Sequence, residues 1–316
     1  FRRVLFRSIV NTDIGDKIQS DVLKVYASRT SFAALKKDGT VVTWGNPRAG
    51  GLGDGVDDSN YSMDNDSSPI NTLKNVKEIY ATDRAFAALK FDGSVVTWGG
   101  VGDGFDNKSG GNSSLVSSSL SSGVTKLFST GRAFAALKED GSLVTWGGSD
   151  YGGDSSSVSS QLQTDVVHVF TTQFAFAALK SDGSLVVWGN STYGPGDSSS
   201  VSSQLQSDII DVQSTEGAFA ALKNDGTLVV WGRSGWGNDL GNITNSNFKK
   251  VVGNQSAFSA LKNDGSVVSW GTVNSAGGDN SSVQSQISSN VEDIFSSSYS
   301  FSAIRSDGSM ITWGSL

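Results

Sequence analysis

The stretch AFAALKEDGSLVTWGG, residues 133–148, is repeated seven times along the chain with small changes. Each copy carries an Asp-Gly pair near its middle and a Trp-Gly pair near its end. The tryptophans of the seven copies are Trp44, Trp98, Trp146, Trp188, Trp231, Trp270 and Trp313. Successive tryptophans are 39 to 54 residues apart, which is typical of propeller blades. The repeat therefore predicts an all-β fold, a seven-bladed β-propeller.

The local pattern within each unit predicts three strands. Stretches such as VVHVF alternate apolar and polar residues, as a half-buried strand does. AFAALK and SLVTWG then form a hairpin around Asp-Gly, because Gly accepts the positive φ that the turn requires. A three-residue loop pairs Phe134 with Trp146, whereas a loop of Asp-Gly alone places Trp146 opposite Ala135. We favour the first register, because the residue before Asp varies freely and seven Phe/Trp pairs result.

The segments between units are polar, as in GSDYGGDSSSVSSQLQTD, residues 148–165. Asp154, Asp197 and Asp279 precede Ser-rich stretches, which predicts an Asp or Ser N-cap on a short helix. Each segment returns along its blade as a helix, a loop or a fourth strand. The expected blade thus has three to four antiparallel strands, with short Ser-rich helices or loops between blades.

The domain organisation follows from the repeats. We expect residues 1–8 to be a processing or cloning scar, or disordered. Residues 9–316 form a single propeller, in which residues 9–21 complete the last blade and close the ring. The sequence is expected to be a monomeric module of a longer chain.

Composition excludes several function classes. A net charge of −7 and a pI near 4.7 argue against nucleic acid, which needs a basic face. The apolar runs are too short to insert into a membrane. With no Cys and the single histidine His168, we expect no thiol or Ser-His-Asp catalysis, no zinc site and no cofactor. The protein is therefore not expected to be an enzyme.

The pattern AFAALK-x-DG-S-VVTWG resembles the repeat of the regulator of chromosome condensation family. The resemblance covers nearly the whole chain, and unit one also has the family-like tail WGNPRAGGLGDG, residues 44–55. It implies a seven-bladed propeller; the family's founder exchanges nucleotide on a small GTPase, and a similar bacterial β-lactamase inhibitor acts by binding alone. Phenylalanines such as Phe134 stand near where the family often has His. No exchange-specific loop matches, so exchange activity does not carry over.

An acidic insertion in unit one is a weak candidate for calcium. It runs through DGVDDSNYSMDND, residues 54–66, and its carboxylates are Asp54, Asp57, Asp58, Asp64 and Asp66. Oxygen ligands at short spacing suit calcium, but the spacing matches no EF-hand loop. A simply solvated loop is the alternative interpretation.

The variable part of each repeat is the pair of residues before AF or SF. In the seven units these pairs are Arg29-Thr30, Asp83-Arg84, Gly131-Arg132, Gln173-Phe174, Glu216-Gly217, Gln255-Ser256 and Ser298-Tyr299. Constant strands that carry variable turns are typical of a scaffold that presents a binding surface. The predicted partner-binding face contains Arg29, Arg84, Arg132, Phe174, Glu216, Trp236 and Tyr299, of types that include those enriched in binding hot spots. The alternative is that these turns vary because nothing constrains them.

Together these patterns predict a non-enzymatic binding or adhesion module. We expect it to belong to a secreted or cell-surface protein of bacterial type, with a protein or a carbohydrate as ligand. The alternatives are a cytoplasmic regulator of a small GTPase, resembling an exchange factor, and an inhibitor-type protein binder.

Overall fold

The computed structural model describes residues 16–51, 73–100, 108–273 and 276–315. These residues form seven sheets of three antiparallel strands each, and we number the sheets as blades 1 to 7 in chain order. The predicted fold class is confirmed: the chain is an all-β, seven-bladed β-propeller with three strands per blade. No helix within the described ranges is long and apolar enough to cross a membrane.

The chain divides into two compact units. Unit 1 comprises residues 1–140 and 144–149, and unit 2 comprises residues 141–143 and 150–316. The strands of blades 1 to 3 are β1 (Val22–Ala27), β2 (Ser31–Lys36), β3 (Val41–Gly45), β4 (Val76–Ala81), β5 (Ala85–Lys90), β6 (Val95–Gly99), β7 (Val124–Ser129), β8 (Ala133–Lys138) and β9 (Leu143–Gly147). The strands of blades 4 to 7 are β10 (Val166–Thr171), β11 (Ala175–Lys180), β12 (Leu185–Gly189), β13 (Ile209–Ser214), β14 (Ala218–Lys223), β15 (Leu228–Gly232), β16 (Phe248–Gly253), β17 (Ala257–Lys262), β18 (Val267–Gly271), β19 (Val291–Ser296), β20 (Ser300–Arg305) and β21 (Met310–Gly314).

The hairpin register agrees with the three-residue loop. In blade 2, Phe86 pairs with Trp98, and their ring centroids are 5.3 Å apart and stacked. Phe134 and Trp146 stack at the same centroid distance, which confirms the predicted pair. The Gly of the turn takes a φ of 76° in blade 3, a left-handed conformation that a side chain would strain.

The segments between blades contain short 3-10 helices. The longest are Ser156–Leu162 and Ser199–Leu205, with seven residues each. Asp154 accepts a hydrogen bond from the Ser156 N–H at 2.9 Å, but it precedes the N-cap, Ser155, by one residue. The structure therefore agrees with the Ser alternative of the N-cap prediction, while the Asp154 side chain closes a turn around Ser155.

Neighbouring blades pack face to face around apolar clusters. Between blades 1 and 2, Ala33, Leu35 and Val41 form the forward face of blade 1. They contact the rear face of blade 2, which includes Phe86 and Trp98. The same forward-to-rear packing joins blades 2 and 3 in unit 1, and blades 4 to 7 in unit 2. The Phe/Trp pairs of blades 2, 3, 5, 6 and 7 therefore contribute to interfaces between blades.

The segment that enters a blade also covers its Phe/Trp pair. Trp188 Nε1 donates to the Gly152 carbonyl at 2.9 Å, and an added Cβ on Gly152 would lie 2.5 Å from the Phe176 ring. The equivalent indole bonds in other blades run from Trp98 to Gly50, Trp146 to Gly110, Trp231 to Pro195 and Trp270 to Gly237. The glycine thus permits a contact between backbone and ring that a larger residue would block.

Two blade faces are exposed in the described chain. On the rear face of blade 1, Phe32 is 42% exposed, whereas its equivalent Phe86 is fully buried. On the forward face of blade 7, Ile304 and Met310 are exposed. The sheet of blade 7 consists of β19, β20 and β21. Residues 9–15 lie outside the described residues, so closure of the last blade by residues 9–21 stays a prediction, as does the scar assigned to residues 1–8.

Candidate binding surface

A side-chain hydroxyl or amide accepts a backbone hydrogen bond in each turn between the first and second strands of a blade. This side chain is buried in blades 2 to 6, half-buried at Ser28 and exposed at Ser297. In blade 4, Thr172 Oγ1 accepts hydrogen bonds from the N–H groups of Phe174 and Ala175 at 3.1 and 3.0 Å. In blade 6, Asn254 Oδ1 does the same for Ser256 and Ala257. Residues of this kind precede the variable pair in all seven units: Ser28, Thr82, Thr130, Thr172, Thr215, Asn254 and Ser297. The turn backbone is therefore held constant while the variable pair changes.

Backbone hydrogen bonds join neighbouring turns. In unit 2, the Glu216 N–H donates to the Gln255 carbonyl at 2.9 Å, and the Gln255 N–H donates to the Ser298 carbonyl at 3.2 Å. In unit 1, the Asp83 N–H donates to the Gly131 carbonyl at 2.8 Å. Because every residue except proline can make these bonds, the spacing of the turns does not depend on their side chains.

The chain that leaves each blade passes beside these turns. In blades 4 and 5 the residue after Trp-Gly donates its N–H to a turn carbonyl, from Asn190 to Phe174 at 3.0 Å and from Arg233 to Gly217 at 2.8 Å. Trp236 packs against the Gly217 turn, and the Arg233 guanidinium lies 5.3 Å from the centre of its ring. Turns and tails therefore build one surface together.

Four turns of unit 2 line an open depression of about 430 Å³, which we call the unit 2 cavity. Its lining residues are Thr171, Thr172, Gln173, Thr215, Glu216, Asn254, Gln255, Ser297, Ser298 and Tyr299. Gln255 Nε2 donates to Glu216 Oε1 at 2.7 Å, and Tyr299 is 48% exposed. Glu216 is the one charged residue among these lining residues, so the cavity offers hydrogen bonds and a single negative charge.

A second cavity, of about 200 Å³, lies in unit 1, and we call it the unit 1 cavity. Its lining residues are Arg29, Thr30, Asn46, Arg48, Ala49, Asp83 and Arg84. Arg29 and Arg84 come from the turns of blades 1 and 2, while Arg48 lies in the 3-10 helix Pro47–Ala49 after β3. Three arginines and one aspartate give the lining a net positive charge.

The residues of the predicted face are distributed among different contacts. Arg29 and Arg84 meet in the unit 1 cavity, and Glu216 and Tyr299 meet in the unit 2 cavity. Phe174 instead contacts Tyr151, with ring centroids 5.3 Å apart. Trp236 packs on the Gly217 turn, and Arg132 occupies in blade 3 the position that Arg84 occupies in blade 2.

Sequence reasoning missed two kinds of residue in these cavities. Arg48 belongs to a tail and lies outside the variable pairs. Gln173, Gln255 and Ser298 were recognised as turn residues but not chosen for the binding face. Their signal was present, because each is the first member of its variable pair.

The hairpin aspartates have a structural role. Asp182 Oδ1 accepts hydrogen bonds from Ser184 Oγ at 2.7 Å and from the Ser184 N–H at 2.9 Å. The hydroxyl bond, followed by the backbone bond, lowers the pKa of Asp182 below its ordinary value. The same contacts lower the pKa values of Asp38, Asp92, Asp225, Asp264 and Asp307. These carboxylates are therefore engaged in closing their turns.

The remaining sequence candidates are His168 and the acidic insertion. His168 in β10 lies edge-on to Phe170, with ring centroids 4.8 Å apart. The described residues hold no group of three or more His, Cys, Asp or Glu side chains that could bind a metal ion. Asp54, Asp57, Asp58, Asp64 and Asp66 lie outside the described residues, so calcium binding stays untested.

Solved structures with low sequence identity resemble this fold. Prp20p from Saccharomyces cerevisiae, described with its binding to Gsp1p and histones, is 17% identical over 80% of this chain and 72% of its own, with a TM-score of 0.45. The CRINKLY WD40 ectodomain of the Arabidopsis thaliana receptor kinase ACR4 is 15% identical over 93% of this chain and 95% of its own, with a TM-score of 0.43. Human WBSCR16 is 16% identical over 78% of this chain and 76% of its own, with a TM-score of 0.46. No protein-family model and no curated protein matches the sequence. Prp20 is a yeast RCC1.

Proposed function

We propose that this protein is a non-enzymatic binding module whose variable turns contact the ligand. The observation that carries the proposal is the set of four turns around the unit 2 cavity. Their backbones are held by the same type of cap and by bonds from turn to turn, while their first residues are Gln173, Glu216, Gln255 and Ser298. A constant frame with different side chains at one position is the arrangement of a recognition surface.

The lining of the unit 2 cavity indicates the character of the ligand. Amides, hydroxyls and one carboxylate surround a volume within the range of about 300–1,000 Å³ typical of small-ligand sites. Tyr299 adds an exposed aromatic ring beside these polar groups. The proposed ligand is a hydrogen-bonding group of a carbohydrate or of a protein partner.

The proposed setting is the cell surface or the extracellular space of a bacterial-type organism, where the module would serve adhesion. The acidic charge and the Ser-rich linking segments support this setting, because they keep a displayed module soluble. Surface labelling of cells that express the chain within its native gene tests it. Labelling confined to lysed cells would contradict the setting and favour the cytoplasm.

Binding arrays test the proposed function directly. The wild-type protein is applied to immobilised oligosaccharides and peptides, alongside Glu216→Ala and Tyr299→Ala. Asn224→Ala is the matched control, because Asn224 is an exposed residue of a hairpin turn in the same unit. We expect Glu216→Ala and Tyr299→Ala to weaken capture at least tenfold and Asn224→Ala to leave it unchanged. Equal capture by all four proteins, or no capture by the wild type, would refute the proposal.

A further inference from the structure

We propose that the unit 1 cavity is a binding site for an anionic oxygen group, a carboxylate or a phosphate. The protein as a whole carries a charge of −7, yet three arginines and a single aspartate line this cavity. Guanidinium groups present forked N–H donors that match the paired oxygens of carboxylates and phosphates. The local charge thus favours a ligand of the same sign as the protein itself.

Backbone contacts bring the three arginines together. The Arg29 N–H donates to the Asp83 carbonyl at 3.0 Å, which joins the turns of blades 1 and 2. The Arg48 N–H donates to Asn46 Oδ1 at 3.0 Å, and the Arg48 carbonyl accepts from the Gly100 N–H at 2.7 Å. Since the main chain is anchored at these points, the three side chains start from fixed positions around one cavity.

The size of the cavity selects a small group. Its volume of about 200 Å³ is below the range of about 300–1,000 Å³ typical of drug-sized ligands. Arg48 and Arg84 are half-buried, so their attraction for an anion is screened less by solvent than that of a fully exposed pair. We infer a single carboxylate or phosphate group, presented by a small metabolite or by a partner.

Substitution of Asp83 should change anion affinity in the opposite direction from substitution of the arginines. Its carboxylate is the one negative charge among the lining residues, and it opposes an incoming anion. Asp83→Asn should therefore strengthen anion binding, while Arg84→Ala should weaken it. If these residues had a purely structural role, the two substitutions would not change anion affinity in opposite directions.

The experiment is calorimetric titration of the whole protein with inorganic phosphate and, separately, with succinate. We expect saturable binding of at least one anion, at least tenfold weaker binding in Arg84→Ala, and severalfold tighter binding in Asp83→Asn. Arg84→Lys should also weaken binding, because an ammonium group cannot form the forked contact. Lys77→Ala removes the same charge from an exposed position of β4 and should leave the affinity unchanged.

Each outcome assigns or removes the site. Binding of phosphate alone or of succinate alone identifies the source of the anion. No saturable binding of either anion up to about 10 mM, which corresponds to a very weak interaction, would overturn the inference. Equal weakening by Lys77→Ala and Arg84→Ala would also overturn it, since only net charge would then matter. Circular dichroism melts of each variant establish that it is folded.

This inference rests on the proposed binding role of the turns, but the two fail separately. Loss of array capture in Glu216→Ala concerns the unit 2 cavity, whereas the titrations concern the unit 1 cavity. Anion binding without array capture would leave the site standing and remove the proposed function. Array capture without anion binding would support the proposed function and remove the anion site.

Discussion

Phe32 and Phe86 form a matched pair that tests how much the packing of one blade on another stabilises the fold. Both lie at the second position of their strands in unit 1, and each stacks on a tryptophan at a centroid distance of 5.3 Å. Their interplanar angles are 17° and 18°. The two phenylalanines differ in solvent exposure, because Phe86 is fully buried and Phe32 is 42% exposed.

Replacing each phenylalanine by Ala should therefore have unequal costs. Removal of a fully buried Phe lowers the free energy of unfolding by about 3–5 kcal/mol, which is the expectation for Phe86→Ala. Phe32 is a little over half buried, so Phe32→Ala should cost about 2 kcal/mol. The expected difference between the two variants is on the order of 2 kcal/mol.

Urea unfolding followed by far-ultraviolet circular dichroism measures both costs in one transition. The dependence of the unfolding free energy on urea should be the same in both variants, so that the shift in midpoint reports stability alone. If the two substitutions cost the same within about 0.5 kcal/mol, the reasoning is refuted. Phe32 would then be as well enclosed in solution as Phe86.

Two further predictions concern single residues. Gly152→Ala should be far more destabilising in thermal melts than Gly235→Ala: both glycines have positive φ, but an added Cβ meets the Phe176 ring at 2.5 Å only at Gly152 and open space at Gly235. Equal melting temperatures would contradict the role given to Gly152. Acid should destabilise the protein through its hairpin aspartates, since a lowered folded-state pKa contributes stability that is complete above the ordinary value near 3.8 and is lost as pH falls through the folded pKa. Asp182→Asn should therefore make the fall in melting temperature below about pH 4 shallower, and an unchanged slope would exclude Asp182 as a contributor.

The fold could be predicted from the sequence because the patterns that define its strands and turns are local and repeated. Asp-Gly fixed the position of each hairpin turn, and the variable residue before it distinguished the register that pairs Phe134 with Trp146. The Ser-rich segments were harder, since serine competes for backbone hydrogen bonds and favours neither a long helix nor a strand. They form 3-10 helices, and Asp154 closes a turn just before one of them, Ser156–Leu162.

The cavities could not be predicted from the sequence in the same way. Each is built by segments of different blades. No local sequence pattern therefore predicts that Arg29, Arg48 and Arg84 line one cavity. The variable pairs drew attention to Arg29 and Arg84, whereas Arg48 lies in a tail that has no such signal. A hydroxyl or amide residue such as Thr172 precedes the variable pair in every unit, but the sequence pattern alone does not show which backbone N–H groups it binds.

The indole bond from five of the repeat tryptophans to the entering chain has a consequence for how such a protein can gain blades. The acceptor is a main-chain carbonyl, supplied by Gly50, Gly110, Gly152, Pro195 and Gly237 in five different tails. A blade therefore recognises its neighbour through an atom that every residue possesses, provided that a small or rigid residue holds it close. Duplication of a blade together with its tail would supply a carbonyl acceptor for the next tryptophan, so a blade can be added by gene duplication without a new kind of interface.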